Sequence, residues 1–440
     1  MKQFALTKDI LLRKESFGGL VINRKTFMHK EISQTEYEFL NNLGKCAGYL
    51  KPAILLAQNT TGKKVKYHKF LRDDIIEEKT TDEECCISIV NALTSPLEIA
   101  LYPTLRCNMS CKFCFVKNVN KKDNVELPLS CWTDVINQAK DMGVFSISIL
   151  GGEPTLYPDI ISLLECANES GMNITITSNG MNVPQEVLDA IVRFDNVVPV
   201  FSLQSMSELN QTLMGGDYHR TIETIEYLME KKKKVRVNSV YTNQTLEDFY
   251  GIIDYCILHK VDRYSVGLYM DINKSNKNIK NHTFEEARKL DEELKHYVSS
   301  RHAESDFMVS IEGCMLYTGY PEYEHDIRRL TQYEKIYYGC RAGRTKLEIY
   351  ANGDVFPCIC FENSIQPVSN IVNNSLEEIW KNDEYMKILR KGLPMNMECE
   401  KCGYSIICNA GCPAVRQQIH KSFECEEKDP RCALHSEVTE

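Results

Sequence analysis

Nine consecutive residues, Cys107-Asn108-Met109-Ser110-Cys111-Lys112-Phe113-Cys114-Phe115, set three thiols at the spacing Cys-x3-Cys-x2-Cys. Thiolates hold iron–sulfur clusters, and a loop this short can wrap one corner of a cubane, each sulfur taking one iron. The fourth iron is then free to bind a small molecule. A zinc-binding loop is the plainer alternative for three clustered thiols. A second run of thiols lies far downstream. Cys340 is followed by Gly353-Asp354-Val355-Phe356-Pro357-Cys358, then by Cys399-x2-Cys402-x5-Cys408-x3-Cys412, and last by Asp429-Pro430-Arg431-Cys432. A zinc ribbon over Cys399, Cys402, Cys408 and Cys412 is the competing reading there, whereas iron–sulfur loading is consistent with both runs. Between the runs stands Gly151-Gly152-Glu153-Pro154. Its glycines let the backbone approach a ligand and adopt positive φ, and its carboxylate can pair with a cationic amine.

Composition points the same way. The chain has 440 residues, of which 19 are cysteines, and seven of these fall between Cys340 and Cys412. Scattered core thiols would not bunch so. Met1-Lys2-Gln3-Phe4 leads into charged residues without a signal peptide, and no apolar run is long enough to cross a bilayer. The expectation is a cytoplasmic protein without a membrane partner, where many thiols mean metal more than disulfides. A net charge of −9 disfavours a nucleic-acid partner. Hydrophobic residues at 43% and charged residues at 26% are ordinary for a globular protein, and this length implies two or three domains.

The elements that position these residues fall into three segments. Residues 1–92 carry no candidate cluster ligand. Ile10–Arg13 and Gly18–Asn23 read as strands around a turn, and Thr26–His29 is expected to add a third. Ser33-Gln34-Thr35-Glu36 has the form of a capping box, and Tyr37, Phe39, Leu40 and Leu43 give the helix behind it a buried face. A second helix is expected from Asp82 to Leu93, with Cys46, Cys85 and Cys86 as buried thiols. From residue 93 to 310 strand and helix alternate. The strands are Leu97–Thr104, Phe145–Leu150, Asn173–Ser178, Val197–Leu203, Val235–Val240 and Tyr264–Tyr269. Helical periodicity marks Trp132–Met142, Ile160–Ser170, Pro184–Arg193 and Tyr218–Lys232, with Cys131, Cys166 and Cys256 on core-facing helices. Six such units imply an α/β fold with a parallel sheet, closed or partly closed as a barrel, whose chemistry sits at the carboxyl ends of the strands. The first cysteine loop ends the first strand, and Gly151-Gly152-Glu153-Pro154 ends the second. Residues 311–440 are the cysteine-rich segment.

The Cys107–Cys114 spacing, with aromatic Phe113 before the third cysteine, resembles the signature of the radical S-adenosylmethionine (SAM) enzymes. The resemblance implies a partial (β/α)6 TIM-type barrel, in which Cys107, Cys111 and Cys114 hold a 4Fe–4S cluster. Its open iron chelates SAM, and an electron cleaves SAM to a 5′-deoxyadenosyl radical. Gly151, Gly152, Glu153 and Pro154 match the family's glycine-rich motif at the methionine amine of SAM. Ser178 and Asn179, ending the third strand, and Ser202 and Gln204, ending the fourth, are implied as further SAM contacts. Sulfatase-maturing relatives often carry an Asp-Gly pair near the fourth strand, where this chain has Leu203-Gln204-Ser205-Met206.

The downstream cysteines resemble the SPASM extension of radical SAM peptide maturases, which normally holds two auxiliary 4Fe–4S clusters, making three in all. Carried over, Cys340, Cys358 and Cys412 bind the first auxiliary cluster, with Cys314 or Cys360 as fourth ligand or an open iron. Cys399, Cys402, Cys408 and Cys432 bind the second, where Cys425 competes with Cys432. The stretch from Glu15 to Leu40 resembles the winged-helix-like element that binds leader peptides in ribosomal peptide biosynthesis, capturing a peptide as an added strand. Together these imply a maturase of a ribosomally made precursor peptide, fed electrons by a reductant such as flavodoxin or ferredoxin. Auxiliary clusters suit an oxidative cross-link, carbon–carbon as in Lys–Trp macrocycles or a thioether from cysteine. Glu312, beside Cys314, is the candidate catalytic base. The other readings are a formylglycine-generating maturase of a folded sulfatase and a non-enzymatic iron–sulfur carrier.

Overall fold

The computed structural model describes residues 10–45, 92–118, 125–269, 276–313, 330–361, 365–408 and 410–427, with single positions 6, 53, 57, 60, 61, 63, 70, 429 and 432. Cys46, Cys85, Cys86 and Cys314, and nearly all of the helix expected from Asp82, lie outside the described residues.

An antiparallel sheet opens the chain: β1 (Ile10–Glu15), β2 (Gly18–Asn23) and β3 (His29–Ile32), in that order. The third strand starts at His29 instead of Thr26 because Asn23 Oδ1 accepts from the backbone N–H of Lys25 (2.9 Å) and Thr26 (3.0 Å), which turns the chain. Helix α1 (Gln34–Lys45) begins at the expected capping box: Ser33 N–H donates to Glu36 at 2.8 Å, and Glu36 N–H donates to Ser33 Oγ at 3.3 Å. Every residue of β2 is buried, because the sheet is covered on both faces. Val21 and Ile32 pack with Phe39, Leu40 and Leu43 of α1, while Leu20 and Ile22 pack with Leu97, Phe145, Tyr333 and Ile336 from further along the chain.

The six expected parallel strands are present as β4 (Glu98–Leu101), β5 (Ser146–Ile149), β6 (Asn173–Ser178), β7 (Val197–Ser202), β8 (Arg236–Tyr241) and β9 (Arg263–Leu268). They pair in sequence order. The helices between them are α2 (Leu129–Asp141), α3 (Ile160–Glu169), α4 (Gln185–Arg193), α5 (Glu208–Met214), α6 (Tyr218–Glu230) and α7 (Leu246–Leu258). Alternation within the strands decides the layers. Ile147, Ile149, Ile174, Ile176, Val197, Phe201, Val237 and Val266 are buried in one core with Trp132, Leu164, Ile191, Leu228 and Phe249 of the helices. The opposite face is polar, and Ser202, Asn238, Ser265 and Ser310 stand side by side in register across it. A long helix α8 (Phe284–Arg301) leads into a seventh parallel strand, β10 (Met308–Glu312).

After α9 (Gln332–Tyr338) the sheet continues on its other edge. Strand β11 (Lys346–Ile349) lies parallel to β4, and β12 (Asp354–Phe356) and β13 (Ser369–Asn370) follow antiparallel. Five short helices follow among the described residues: α10 (Leu376–Asn382), α11 (Glu384–Lys391), α12 (Met397–Lys401), α13 (Ser405–Cys408) and α14 (Pro413–His420). No helix among the described residues is long and apolar enough to cross a membrane. The amino-terminal sheet sits at the strand starts, away from the cysteine loop. Arg13 donates to Pro96 O (3.1 Å) and Gly143 O (3.0 Å), just before β4 and β5.

Candidate active site

The first cysteine loop leaves the end of β4 and is clamped at its root. Arg106 forms a fork on Glu126, Nε to Oε1 at 2.7 Å and the terminal nitrogen to Oε2 at 2.9 Å, and donates also to Leu156 O. The Thr104 hydroxyl donates to the same carboxylate. Although burial opposes it, these donors hold the Glu126 carboxyl below its ordinary pKa. The loop's far side rests on the end of α5: Ser110 N–H donates to Met214 O (3.3 Å) and Lys112 N–H to Leu213 O (2.8 Å). Asn276 donates to Lys112 O at 2.8 Å. Of the three thiols, Cys107 is exposed and Cys111 and Cys114 are half-buried. Phe113 is half-buried between them.

The glycines after β5 serve this loop directly. Gly152 N–H donates to Thr104 O at 3.0 Å, and Glu153 N–H to Arg106 O at 2.7 Å. A Cβ on Gly151, whose φ is +148°, would come within 2.4 Å of Thr104 O, and one on Gly152 within 2.2 Å of Arg106 O. Their lack of a side chain thus lets two backbones meet, where the sequence had suggested room for a ligand. Glu153 is buried, at 1% exposure. Its Oε1 accepts from Thr155 N–H (3.2 Å), Thr155 Oγ1 (2.7 Å) and Ser178 Oγ (2.9 Å), and its Oε2 from Asn179 N–H (2.8 Å). Burial pushes its pKa up against these four donors, and no cation among the described residues forms an ion pair with it. Asn179 in turn ties the third strand to the cysteine loop, donating to Asn108 Oδ1 at 2.8 Å and lying 3.9 Å from Cys107 Sγ. Glu153, Ser178, Asn179 and Cys107 therefore form one connected cluster.

Further along the same rim, Gln204 Oε1 accepts from Val240 N–H (2.9 Å) and Gln244 Nε2 (3.1 Å), while its own Nε2 is buried without a partner among the described residues. Oδ1 of Asn238, a residue in register with Ser202, is likewise buried without a partner among the described residues. Such a donor just past β7 and such an acceptor on β8 suit a polar ligand on the polar side of the sheet. The sequence named Ser202 and Gln204 but missed Asn238 and Gln244. Strand register is the signal that finds Asn238, because it lies opposite Ser202. Glu312 ends β10 on the same rim as the cysteine loop and is exposed.

The downstream thiols gather in two groups. Cys340, Cys358, Cys360, Cys408 and Cys412 line one cavity with Arg341, Phe361 and Pro413. A hydrogen bond from Cys360 lowers the pKa of the Cys358 thiol in spite of burial. Cys408 also lies within electrostatic reach of Cys432 and Cys402, and Cys399 of the same two, so these four converge. Burial, with those neighbours, pushes Cys408 up to about 12. Between the barrel loop and the first group, Tyr102 stacks on Tyr350 at 4.6 Å and meets Phe115 edge-on at 6.3 Å. The Tyr102 hydroxyl donates to buried Glu348 at 2.7 Å. Cys131 and Cys166 pack against the helix core and Cys256 is buried in it.

Three thiols on a short loop, a buried carboxylate beside them with no cation paired to it among the described residues, and amide atoms on the polar side of the sheet without partners among those residues fit an iron–sulfur cluster with a zwitterionic ligand. The fold and this loop define a radical SAM enzyme. The Radical SAM superfamily model matches residues 101–256, and the model of an iron–sulfur cluster-binding domain, SPASM, matches residues 340–403. The chain belongs to the radical SAM superfamily and carries the SPASM extension. It is 32% identical to SuiB of Streptococcus suis, covering 97% of this chain and 99% of that one with a TM-score of 0.84. A structure of SuiB bound to the precursor peptide SuiA superposes with a TM-score of 0.83. Among curated relatives, the mycofactocin maturase MftC of Mycobacterium ulcerans is 24% identical, over 78% of this chain and 89% of its own length. The PqqA peptide cyclase of Bradyrhizobium diazoefficiens is also 24% identical, over 77% and 86%.

Proposed function

We propose that this enzyme is a peptide maturase that installs an oxidative intramolecular cross-link in a ribosomally made precursor peptide. The observation that carries this is the match to SuiB over nearly the whole chain, amino-terminal sheet included, for a protein whose structure is known with its precursor peptide. In this reading residues 1–92 recognise the leader, 93–310 form the radical-generating barrel and 311–440 hold two auxiliary clusters.

Cys107, Cys111 and Cys114 are assigned to the barrel cluster, which supplies, with SAM, the radical chemistry that breaks an unactivated C–H bond. Glu153 faces the SAM amine, with Gly151, Gly152 and Pro154 shaping its turn. Asn179 and Ser178 hold that carboxylate in place. Ser202 and Gln204, joined by Asn238, take the ligand's remaining polar groups, and Phe113 covers it. Cys399, Cys402, Cys408 and Cys432 are assigned to one auxiliary cluster; Cys340, Cys358 and Cys412 are assigned to the other. Cys360 lines the same cavity as those three, together with Cys408, and competes for the fourth place with Cys314, which lies outside the described residues. A complete ligand set leaves no iron for a substrate thiolate, which favours a carbon–carbon link over a thioether. Glu312, exposed on the rim, is the base for the proton lost from the substrate, and flavodoxin or ferredoxin is the electron source.

The test is anaerobic turnover with SAM, a reductant and the precursor peptide encoded nearby. The expected product has lost two hydrogens, resists thiol-directed cleavage and appears with 5′-deoxyadenosine. A product bearing a formylglycine, or a thioether identified by fragmentation, would replace the carbon–carbon assignment. Loss of 5′-deoxyadenosine in Cys107→Ala/Cys111→Ala/Cys114→Ala ties the chemistry to the loop.

A further inference from the structure

Cys425 does not line the cavity of the first thiol group, and it lies within electrostatic reach of the same guanidinium, Arg416, as Cys399 and Cys408 of the second. The side chains around it are His420, at the end of α14, and Glu427. One donor atom from each of the three lies within 4.8 Å of the others, with His420 Nε2 3.3 Å from Glu427 Oε2. The backbone is built to bring them together. Helix α14 ends at His420, and Lys421 takes a left-handed conformation (φ 56°) that turns the chain back. Phe423 is buried, edge-on to Tyr385 at 5.9 Å, and pins the return. Beneath it Arg416, 4% exposed, donates to the carbonyls of Pro394 (2.8 Å), Ala410 (3.2 Å), Glu427 (3.3 Å) and Cys425. A buried guanidinium therefore fixes the backbone of two of the three donors, and its charge is met by carbonyl oxygens.

We propose that His420, Cys425 and Glu427 form a mononuclear Zn²⁺ site. One imidazole, one thiolate and one carboxylate make a borderline donor set that suits zinc. A single sulfur is too few for a cubane, and calcium or magnesium would call for oxygen alone. Binding displaces the Cys425 thiol proton to solvent, and exposed Glu427 leaves the fourth position to water. The site clasps the segment leading to Asp429, which accepts from Cys412 N–H at 2.9 Å, and then to Cys432. Zinc here fixes the turn after α14, in the chain that goes on to the last thiol of the second group.

The experiment uses the full-length, iron-loaded chain, freed of loosely held metal and titrated anaerobically with Zn²⁺ against a chromophoric chelator. Wild type, His420→Ala, Cys425→Ser and Glu427→Gln are compared for zinc affinity, and for zinc and iron content. About one tightly held zinc per wild-type chain is expected, with a zinc-edge spectrum showing one sulfur neighbour. Each variant should lose at least about tenfold in zinc affinity at unchanged iron. Zinc that is absent from wild type, or held equally by all variants, overturns the proposal. So does a Cys425→Ser variant that loses about four irons, since Cys425 is then a cluster ligand. Zinc is read separately from iron and from turnover, so failure here leaves the peptide-maturase reading untouched.

Discussion

Glu153 is a carboxylate taken out of water with four neutral donors and no cation among the described residues. In Glu153→Gln one oxygen becomes an amide that donates toward groups which themselves donate. A buried donor left unmatched costs about 1–3 kcal/mol. The expected outcome is a lower unfolding midpoint together with SAM affinity reduced by about tenfold or more, read by equilibrium dialysis on the iron-loaded protein. A lower midpoint with unchanged SAM affinity would make Glu153 a brace between β5 and β6 and nothing else. The residue was legible from Gly151-Gly152-Glu153-Pro154, but its partners were legible only as separate motifs. What joins them is a turn-to-turn contact across strands, and no local spacing encodes that. The same limit applies at Cys360. The resemblance puts Cys314 in the fourth place with Cys360 as its rival, and Cys360 lines the shared cavity while Cys314 lies outside the described residues. Cys360→Ser should alter the electron paramagnetic resonance signal of one auxiliary cluster while Cys314→Ser does not, and the reverse pattern would return the assignment to Cys314.

Elements bring those residues into range, and the tightest junction is that between the β5 turn and the cysteine loop. In Gly152→Ala the new Cβ falls 2.2 Å from Arg106 O and 2.6 Å from Leu105 O, both backbone atoms that cannot swing aside. The loop must move off the turn. Iron content is expected to fall from about twelve to about eight per chain, with the auxiliary clusters kept. Iron near twelve with normal SAM cleavage would show that the loop tolerates the shift. The six barrel strands were readable because each alternates under a helix. The extension β11–β13 was not. Its strands are only four, three and two residues long, and the inward charges of β11 break an apolar pattern. Lys346 is 3.3 Å from Glu98 and 3.1 Å from Glu348, while Arg341 is 2.8 Å from Glu98. Glu98 comes from β4 and Arg341 from the loop before β11, so only the folded sheet makes such charges sensible.

At the scale of the whole molecule, the amino-terminal sheet, the barrel and the carboxyl-terminal segment meet at one side chain. His29 of β3 bonds through Nδ1 to the Tyr333 hydroxyl of α9 and lies edge-on to Phe145 (5.1 Å), which precedes β5, and to Tyr337 (5.5 Å). Burial, with Arg341 and Arg13 nearby, lowers its pKa to about 4 from an ordinary 6.5. Between those values the unfolded chain holds a proton that the folded chain refuses, so stability is full above pH 6.5 and drains as pH falls toward 4. The shift is worth on the order of 3 kcal/mol. Glu31, whose pKa burial raises, acts with the opposite sign: its contribution is lost as pH rises through its folded value. Glu98 and Glu286, lowered to about 2 by their cationic neighbours against burial, lose theirs only in stronger acid. Comparing wild type with His29→Gln isolates the histidine, since the carboxylates are common to both. Denaturant midpoints should converge as pH drops from about 7 to about 4, the wild type falling faster by on the order of 3 kcal/mol in all. Parallel curves would mean that the seam opens to water and the imidazole titrates as in the unfolded chain. Convergence would locate the acid-labile joint where the amino-terminal sheet meets the barrel, at the strand starts and remote from the cysteine loop, so cleavage of SAM should outlast coupling to that sheet as the pH is lowered.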